Sequence, residues 1–503
     1  VWAPNARNVA VIGDFCGWER RRMTPMARDH SRAGTWSAFV PAARTGSEYR
    51  FLVRRGGPYL WRIDPVARQV THSRGNAIVF DPRAVDWGSE QFEMPAWNDV
   101  VVYEVHIPTF AAGGPSGRTF ETAAARLDHL AWLGVNAVEI MPCAEFAGDT
   151  SWGYNPAHPF AVESSYGGPR GLTHFVREAH RRGIAVILDV VHNHLGPSDL
   201  DLWRFDGWHR SHYGGIYFYN DQRARTPWGA TRPNYHRKDV RNYLRDSAVM
   251  WLEDFRVDGL RFDAVHAIRD PGETHILTEI ARTVRRRLPG RHIHLVLENE
   301  RNEAWPLSHD AEADARLYDG QWNDDAHHVC HVLLTGERNG YYGDFAEGAP
   351  ERLARALTEG FVYQGEPSPH AGGQVRGEPS ADLTPLAFVD FLQNHDQIGN
   401  RALGERLSVL VPPEQLKAFQ AILLLSPHIP LLFMGEEWGA RTPFQYFCDF
   451  HGELAEAVRA GRQREFAAFF ADPGAEVPDP LDPATFARSR LDWSELAAPE
   501  HRA

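Results

Sequence analysis

The sequence predicts an α/β protein, a (β/α)₈ TIM barrel preceded by an immunoglobulin-like β-sandwich. Seven runs rich in β-branched and aromatic residues alternate with amphipathic segments: "VVVYEVHI", "AVEIMPCA", "AVILDVVHNH", "GLRFDAVHA", "HIHLVLEN", "FVDFLQNHD" and "IPLLFMGEE". That alternation is the pattern of a parallel sheet built from β/α units. At 503 residues the chain is long enough for a barrel with insertions and a second domain. Acids and histidines gather at the C-terminal ends of the runs, where such barrels assemble their active sites. A doubly wound sheet is the alternative for the same alternation.

In chain order, residues 1–95 open with "VWAPNARNVAVIGDFCGWERRRMTPM", short apolar runs broken by Pro, Asn, Gly and Asp, and "WSAFVPA", "SEYRFLVRR" and "AIVFDP" follow closely. This reads as a small sandwich. The polar linker "DPRAVDWGSEQFEMPAWND" leads into the barrel, expected over 96–470. In "RTFETAAARLDHLAWLG", Phe120, Ala123, Leu127 and Leu130 fall at helical spacing and Gly134 supplies the stop. A short insertion is expected near 195–237, after the third strand. The eighth strand needed to close the barrel has only a weak candidate, "ARLYDG". Residues 471–503 read as a C-terminal extension. A chain that begins at Val1 and stops after "WSELAAPEHRA" is expected to be trimmed at both ends.

Composition narrows the partners. The formal charge of −13 disfavours nucleic acid and anionic membrane, both of which need a basic face. The 16 Trp, 15 Tyr and 27 Phe suit a protein that stacks rings on flat neutral ligands such as sugars. Cys16, Cys143, Cys330 and Cys448 lie far apart without CxxC spacing, which suggests neither a metal knuckle nor a disulfide framework and fits the cytoplasm. The stretch "FQAILLLSPHIPLLFMG" is broken by Ser426, Pro427, His428 and Pro430 and cannot span a bilayer as one helix. A monomer or homodimer is expected, and no cofactor or metal ligand set is read.

The chemistry is read at the strand ends. In "GLRFDAVHAI", Arg261 and Asp263 share a face of the strand, while Leu260, Phe262 and Ala264 take the other. Desolvating such a pair costs several kcal/mol unless the geometry is good, so it persists as a clamp or as chemistry. His106, Asp189, Asn193, His194, Asp263, His266, Glu298, His395 and Asp396 occupy the ends of five runs. Carboxylates from different strands, flanked by an arginine and histidines, fit glycoside hydrolysis, which needs one ionised and one protonated carboxyl. Arg261 would keep Asp263 charged, and the apolar run before Glu298 would raise its pKa.

In this order, "DVVHNH", "GLRFDAVH", "LENE" and "QNHD" resemble the four signature regions of the α-amylase family of glycoside hydrolases. The resemblance implies Asp263 as nucleophile, Glu298 as general acid/base and Asp396 as the carboxylate that binds ring hydroxyls. It also implies that His194 and His395 bond the sugar, that Arg261 orients the nucleophile, and that Asp189 and Asn193 support the site. Tyr154 in "WGYNP" matches the family's stacking tyrosine, and His266 joins the substrate-binding set. "QWNDDAHHVCHVLLTGER", "GFVYQGEPSP" and "LLFMGEEWGARTPFQYF" resemble the family members that release trehalose from a maltooligosaccharide capped by it. A carbohydrate-binding-module-like sandwich fits those members, as does a further C-terminal β-domain, expected to be absent or barely begun here. A glucan branching enzyme or debranching relative is the rival.

Several residues stay open at this point. "LENE" offers both Glu298 and Glu300, and Glu298 holds the position after the apolar run. Asn323, Asp324 and Asp325 either line the +1 side and bond trehalose or cap the next helix. Asp254 and Asp258 read as structural, at the opposite end of the barrel. Glu436 and Glu437 sit at a strand end without a role.

Overall fold

A computed structural model describes residues 1–88, 92–111, 117–466 and 477–501. The N-terminal region forms a six-stranded antiparallel sheet in the order Thr24–Pro25, Asn8–Gly13, Glu48–Arg54, Ala77–Ile78, Gln69–Val70, with Leu60–Arg62 also paired to Glu48–Arg54. Alternation divides its two central strands. Val9, Val11, Phe51 and Val53 point into the main core, with Trp36 from the ribbon Ala27–Arg28/Trp36–Ser37. Ala10, Ile12 and Leu52 point the other way, onto Cys16.

The barrel strands are β1 Val102–Val105, β2 Ala137–Ile140, β3 Ala185–Val190, β4 Gly259–Phe262, β5 His294–Leu297, β6 Gly320–Trp322, β7 Phe388–Asp390 and β8 Ile429–Phe433. All eight pair in parallel and close from β8 back onto β1. Inside, Val102, Ala137, Ala185, Ile187, Val296, Trp322, Val389 and Leu431 pack together, and the linker residues Met94 and Trp97 plug the lower end. The expected sixth strand is displaced: of "ARLYDG" only Gly320 belongs to β6, and Ala315–Arg316 pairs with His309–Asp310 in a separate ribbon. The Asp319 carboxylate is held by Arg285 and the Leu295 amide, each at 2.8 Å, which sets "DG" at the mouth of the strand.

The insertion at 195–237 folds as turns around one short helix, Gln222–Ala224, and ties the two domains together. The Arg62 guanidinium donates to the carbonyls of Trp203, Arg204 and Phe205, and Asp206 accepts from the backbone and side chain of Asn5. Asp258 takes bonds from His180 and the Val186 amide, and Asp254 pairs with Arg68; both are structural. The proposed boundary at 470/471 lies outside the described residues. Residues 477–501 pack on the barrel, where the Trp493 indole donates to the Phe110 carbonyl.

Arg62→Ala would leave those three carbonyl oxygens unpaired beneath the sheet. Urea unfolding of this variant should show a loss of roughly 3 kcal/mol, about 1 for each of three partly buried groups, the low end of the usual range of about 1–3. An unchanged midpoint would mean that the insertion does not join the domains energetically.

Candidate active site

Register places Arg261 directly beside Asp189, because β3 and β4 pair with Asp189 opposite Arg261. The Arg261 side chain is 0% exposed and touches three carboxylates: Nη1 lies 2.5 Å from Asp189 and 3.2 Å from Asp263, and Nη2 lies 2.8 Å from Glu298. The Trp322 ring lies under the guanidinium, 4.0 Å from its carbon. Asn193, just past β3, donates its amide to the Asp263 carboxylate at 2.7 Å and to the Asp263 carbonyl at 2.9 Å. Ala264 adopts a left-handed φ of 41°, costly for a residue with a Cβ, and this turns its N–H onto Glu298 at 2.9 Å.

Two carboxyls on one guanidinium resist being ionised together. Burial pushes Asp263 well above the usual carboxylate range, and the Glu298 charge adds to it. Burial acts on Glu298 in the same direction, but Arg261, His266 and the Ala264 N–H outweigh it and lower its pKa. This reverses the expectation that Arg261 keeps Asp263 charged and an apolar pocket raises Glu298. Geometry supplies the reason: the guanidinium stands nearer Glu298, at 2.8 Å against 3.2 Å, and the Ala264 N–H serves Glu298 alone. These influences bias the pair toward protonation at Asp263 and ionisation at Glu298.

Tyr154 is carried on "SWGYN". Gly153 there has φ 95°, and a Cβ would stand 2.0 Å from the Pro142 carbonyl, so the loop can close only with glycine. The Tyr154 hydroxyl donates to Asp189 at 2.6 Å, and its ring stacks on His395 with centroids 5.0 Å apart. Burial would lower the His395 pKa, but the Glu104 and Asp396 charges win and raise it to about 9. Glu104 accepts from both the ring and the backbone N–H of His395. Burial lowers the His194 pKa to about 4, while both its ring nitrogens face acceptor oxygens. Its Nδ1 lies 2.6 Å from the Asn193 Oδ1, its Nε2 2.8 Å from the Tyr154 carbonyl, and its ring stacks on Trp228 at 4.3 Å.

Asp396 is 38% exposed, with Oδ1 3.5 Å from His395 Nε2. Burial and the Glu298 charge raise its pKa, against the pull of His395. Tyr154, His194, Asp263, His266, Glu298, His395 and Asp396 all line one cavity of about 680 Å³, within the roughly 300–1,000 Å³ range of small-molecule sites. Glu300 stands at its rim, 73% exposed and 3.5 Å from His266, away from the Arg261 cluster. Among the described residues, no group of three or more His, Cys, Asp or Glu could hold a metal ion.

Other candidates are placed elsewhere. Asn323 is buried as a helix N-cap, accepting from Ala326 and donating to Asp390 and the Gly360 carbonyl. Asp325 is buried too, accepting from Asn302 and the amides of Val362 and Tyr363 and pairing with Arg376. Neither lines the cavity, which corrects their assignment to the +1 side: their carboxamide and carboxylate are consumed by the loop at 360–363. Asp324 alone stays near the catalytic acids; burial and then the Glu298 charge raise it to about 8. Glu437 accepts from Tyr103 and His129 behind the barrel wall, and burial raises Glu436 to about 8. His106 is buried against Thr109 and the Ser151 carbonyl, a structural role. Sequence reasoning missed Glu104, although a lone acid inside the apolar run "VVYEV" is a signal. It also missed Trp228, whose loop carries no periodicity.

The raised His395 pKa predicts a stability slope. A cation favoured by folding contributes fully below its unfolded value near 6.5 and is lost as pH rises through about 9. Urea unfolding of wild type and Glu104→Gln between those limits should show wild type losing about 3 kcal/mol more than the variant. Parallel pH profiles would refute the charged pair.

Family models and relatives of known name match the chain. Residues 1–67 match the carbohydrate-binding module 48 (isoamylase N-terminal domain) model, and residues 119–204 match the alpha amylase catalytic domain model. The malto-oligosyltrehalose trehalohydrolase of Arthrobacter ramosus is 40% identical over 512 residues, spanning 100% of this chain and 84% of the relative. A 1,4-alpha-glucan branching enzyme of Marinobacter nauticus is 33% identical over 478 residues, 88% of this chain and 69% of the relative. A Salmonella typhimurium protein assigned to the alpha amylases, with a crystal structure, superposes with TM-score 0.90 at 41% identity, covering 100% of this chain and 81% of that one. With that identity across its whole length and the signature residues gathered in one cavity, the chain belongs to the malto-oligosyltrehalose trehalohydrolase family of α-amylase-type glycoside hydrolases.

Proposed function

We propose that the chain hydrolyses the α-1,4-glucosidic bond next to the trehalose end of maltooligosyltrehalose, releasing trehalose and a maltooligosaccharide with retention. The observation that carries the reading is the placement of Asp263 and Glu298 on adjacent nitrogens of one guanidinium inside the cavity. Carboxyls that close suit the roughly 5–5.5 Å spacing of a retaining pair rather than the 6.5–9.5 Å of an inverting one.

In this reading Glu298 gives its proton to the glycosidic oxygen as the bond to the anomeric carbon breaks. Asp263 attacks that carbon and holds the sugar as a glycosyl ester while trehalose departs. Water then adds to the same carbon, Glu298 takes its proton, and Asp263 leaves as carboxylate. Catalysis needs Glu298 protonated and Asp263 ionised, the reverse of the direction in which burial and Arg261 bias the free pair, so bound substrate must favour proton transfer from Asp263 to Glu298. Both carboxyls touch Arg261, so that transfer changes no net charge in the site, and positive charge developing at the anomeric carbon favours ionised Asp263. Asp396 and cationic His395 bind ring hydroxyls, and Tyr154 offers its ring to the sugar face. With Asn323 and Asp325 consumed by structure, polar contacts to trehalose fall to Asp324, His266 and Glu300.

Transfer to a second glucan, as in the Marinobacter branching enzyme, is the second reading, at lower identity. No helix among the described residues is long and apolar enough to cross a membrane. Four free, buried cysteines support the cytoplasm as the working compartment, with the enzyme a monomer or homodimer.

Capped and uncapped maltooligosaccharides of equal length separate the readings. A trehalose site occupied by maltose leaves polar groups unpaired at about 1–3 kcal/mol each, so two mismatches lower kcat/KM by roughly 30-fold to 10⁴-fold. Trehalose should dominate the small products of capped chains; α-1,6 branch points in treated amylose would favour transfer. Asp263→Asn should lose roughly 10⁴- to 10⁶-fold in turnover while still binding substrate. The kcat/KM profile should be bell-shaped, its limbs the two macroscopic pKa values of the Asp263–Glu298 pair. Glu298→Gln should cost roughly 10²- to 10⁴-fold on natural chains and far less on activated aryl glucosides; equal losses would move the acid to Glu300.

A further inference from the structure

One wall of the active cavity comes from beyond the eighth strand. Tyr446, Phe450, Leu454, Ala457 and Val458 line the cavity that also holds Asp263, Glu298 and Asp396. Leu454, Ala457 and Val458 stand at i, i+3 and i+4 of the helix Gly452–Phe466 and form one stripe. None of the five carries a charge. Leu454 and Val458 are half-buried, packed with Tyr446 against Cys448, Phe450 and Ala455, and Ala457 is exposed, so the stripe keeps one edge open to the cavity.

The wall is fastened to elements that carry site residues. Arg462 donates to the Gly399 carbonyl at 3.0 Å, at the end of the short helix His395–Gly399 that bears Asp396. Its guanidinium also lies over the Tyr446 ring at 5.2 Å and the Phe466 ring at 4.5 Å. On the other side, Trp152 meets Tyr446 edge-on at 5.2 Å and donates its indole to the Gln445 carbonyl at 3.1 Å, two residues from Tyr154. Arg462 and Trp152 thus hold an apolar surface against the loops of Asp396 and Tyr154. His266 and Glu300 line the same cavity beside Glu298, which the hydrolase reading puts toward the leaving group.

We propose that this wall is the binding surface for the glycone chain: it takes the apolar C–H faces of glucose units beyond the one bonded to Asp263 and so sets the preference for chain length. Pyranose rings present such faces, and an apolar wall with few polar groups suits them. The inference rests on the hydrolase reading of the cavity. Arg462 is a positioning residue that fixes the wall relative to Asp396.

The test measures kcat and KM on trehalose-capped chains carrying one to five further glucose units, for wild type, Val458→Ser, Leu454→Ser and Ala457→Glu. Ala457 is exposed, so its variant folds whatever happens to the other two. Wild-type kcat/KM should climb as the first units are added. Each variant should flatten that climb about five- to tenfold on the longest chains, through KM, and leave the one-unit substrate and the preference for capped over uncapped chains unchanged. Equal losses at every length, or a length dependence untouched in all three variants, would overturn the proposal. Loss of the capped preference with length dependence intact would place the wall on the trehalose side and overturn it too. If wild type cut capped and uncapped chains alike, the trehalose reading would fail, while the same length series on uncapped chains would still decide the role of the wall.

Discussion

A guanidinium with no access to water, held among three carboxylates, is the constraint that organises this molecule. Taking such charges out of water costs several kcal/mol per ion, and the cost is recovered only where the geometry satisfies nearly every donor. Arg261 meets most of that demand through register, its Nε alone of the three nitrogens lacking a partner: β3 sets Asp189 opposite it, its own strand turns Asp263 to the same face, and β5 delivers Glu298. The Trp322 ring closes the underside. A shift of one residue in any of these strands would strand a buried charge, so the barrel and the site specify each other.

Around that cluster, neighbouring groups alternate in charge and share protons. Cationic His395 is matched by buried Glu104, and His194 is pinned between Asn193 and the Tyr154 carbonyl. Tyr154 stacks on His395 and bonds Asp189, so the ring offered to a sugar is fixed by two charged partners. These contacts orient each group before any substrate is present, which is what electrostatic catalysis requires. The Asp325–Arg376 network plays the same part farther out, holding the loop at 360–363 rather than the substrate.

The fold was legible because barrel strands are short, apolar and punctuated by acids at one end, a pattern that survives without any knowledge of partners. The sixth strand was misplaced because "ARLYDG" looks strand-like while its Asp319 is in fact anchoring the neighbouring Leu295. The acids and histidines at the strand ends were legible for the same reason as the strands, while their proposed roles came from the resemblance of the signature regions. The bias of the pair toward an ionised Glu298 was not, since it depends on 2.8 Å against 3.2 Å at Arg261 and on the left-handed turn of Ala264. Asn323 and Asp325 show the other limit: an Asn–Asp–Asp run before a helix reads alike as cap and as ligand. Glu104 and His395 lie 291 residues apart, beyond the reach of any local pattern.

The central claim is that Asp263 and Glu298, held on Arg261, act as nucleophile and acid of a retaining pair. Proton NMR of the reaction during its first turnovers, before mutarotation, reads the anomer of the reducing end newly released from a capped chain. The α-anomer is the predicted first product. A β-anomer would mean that water attacks directly from the opposite face, and it would contradict the assignment of Asp263 and the account built on it.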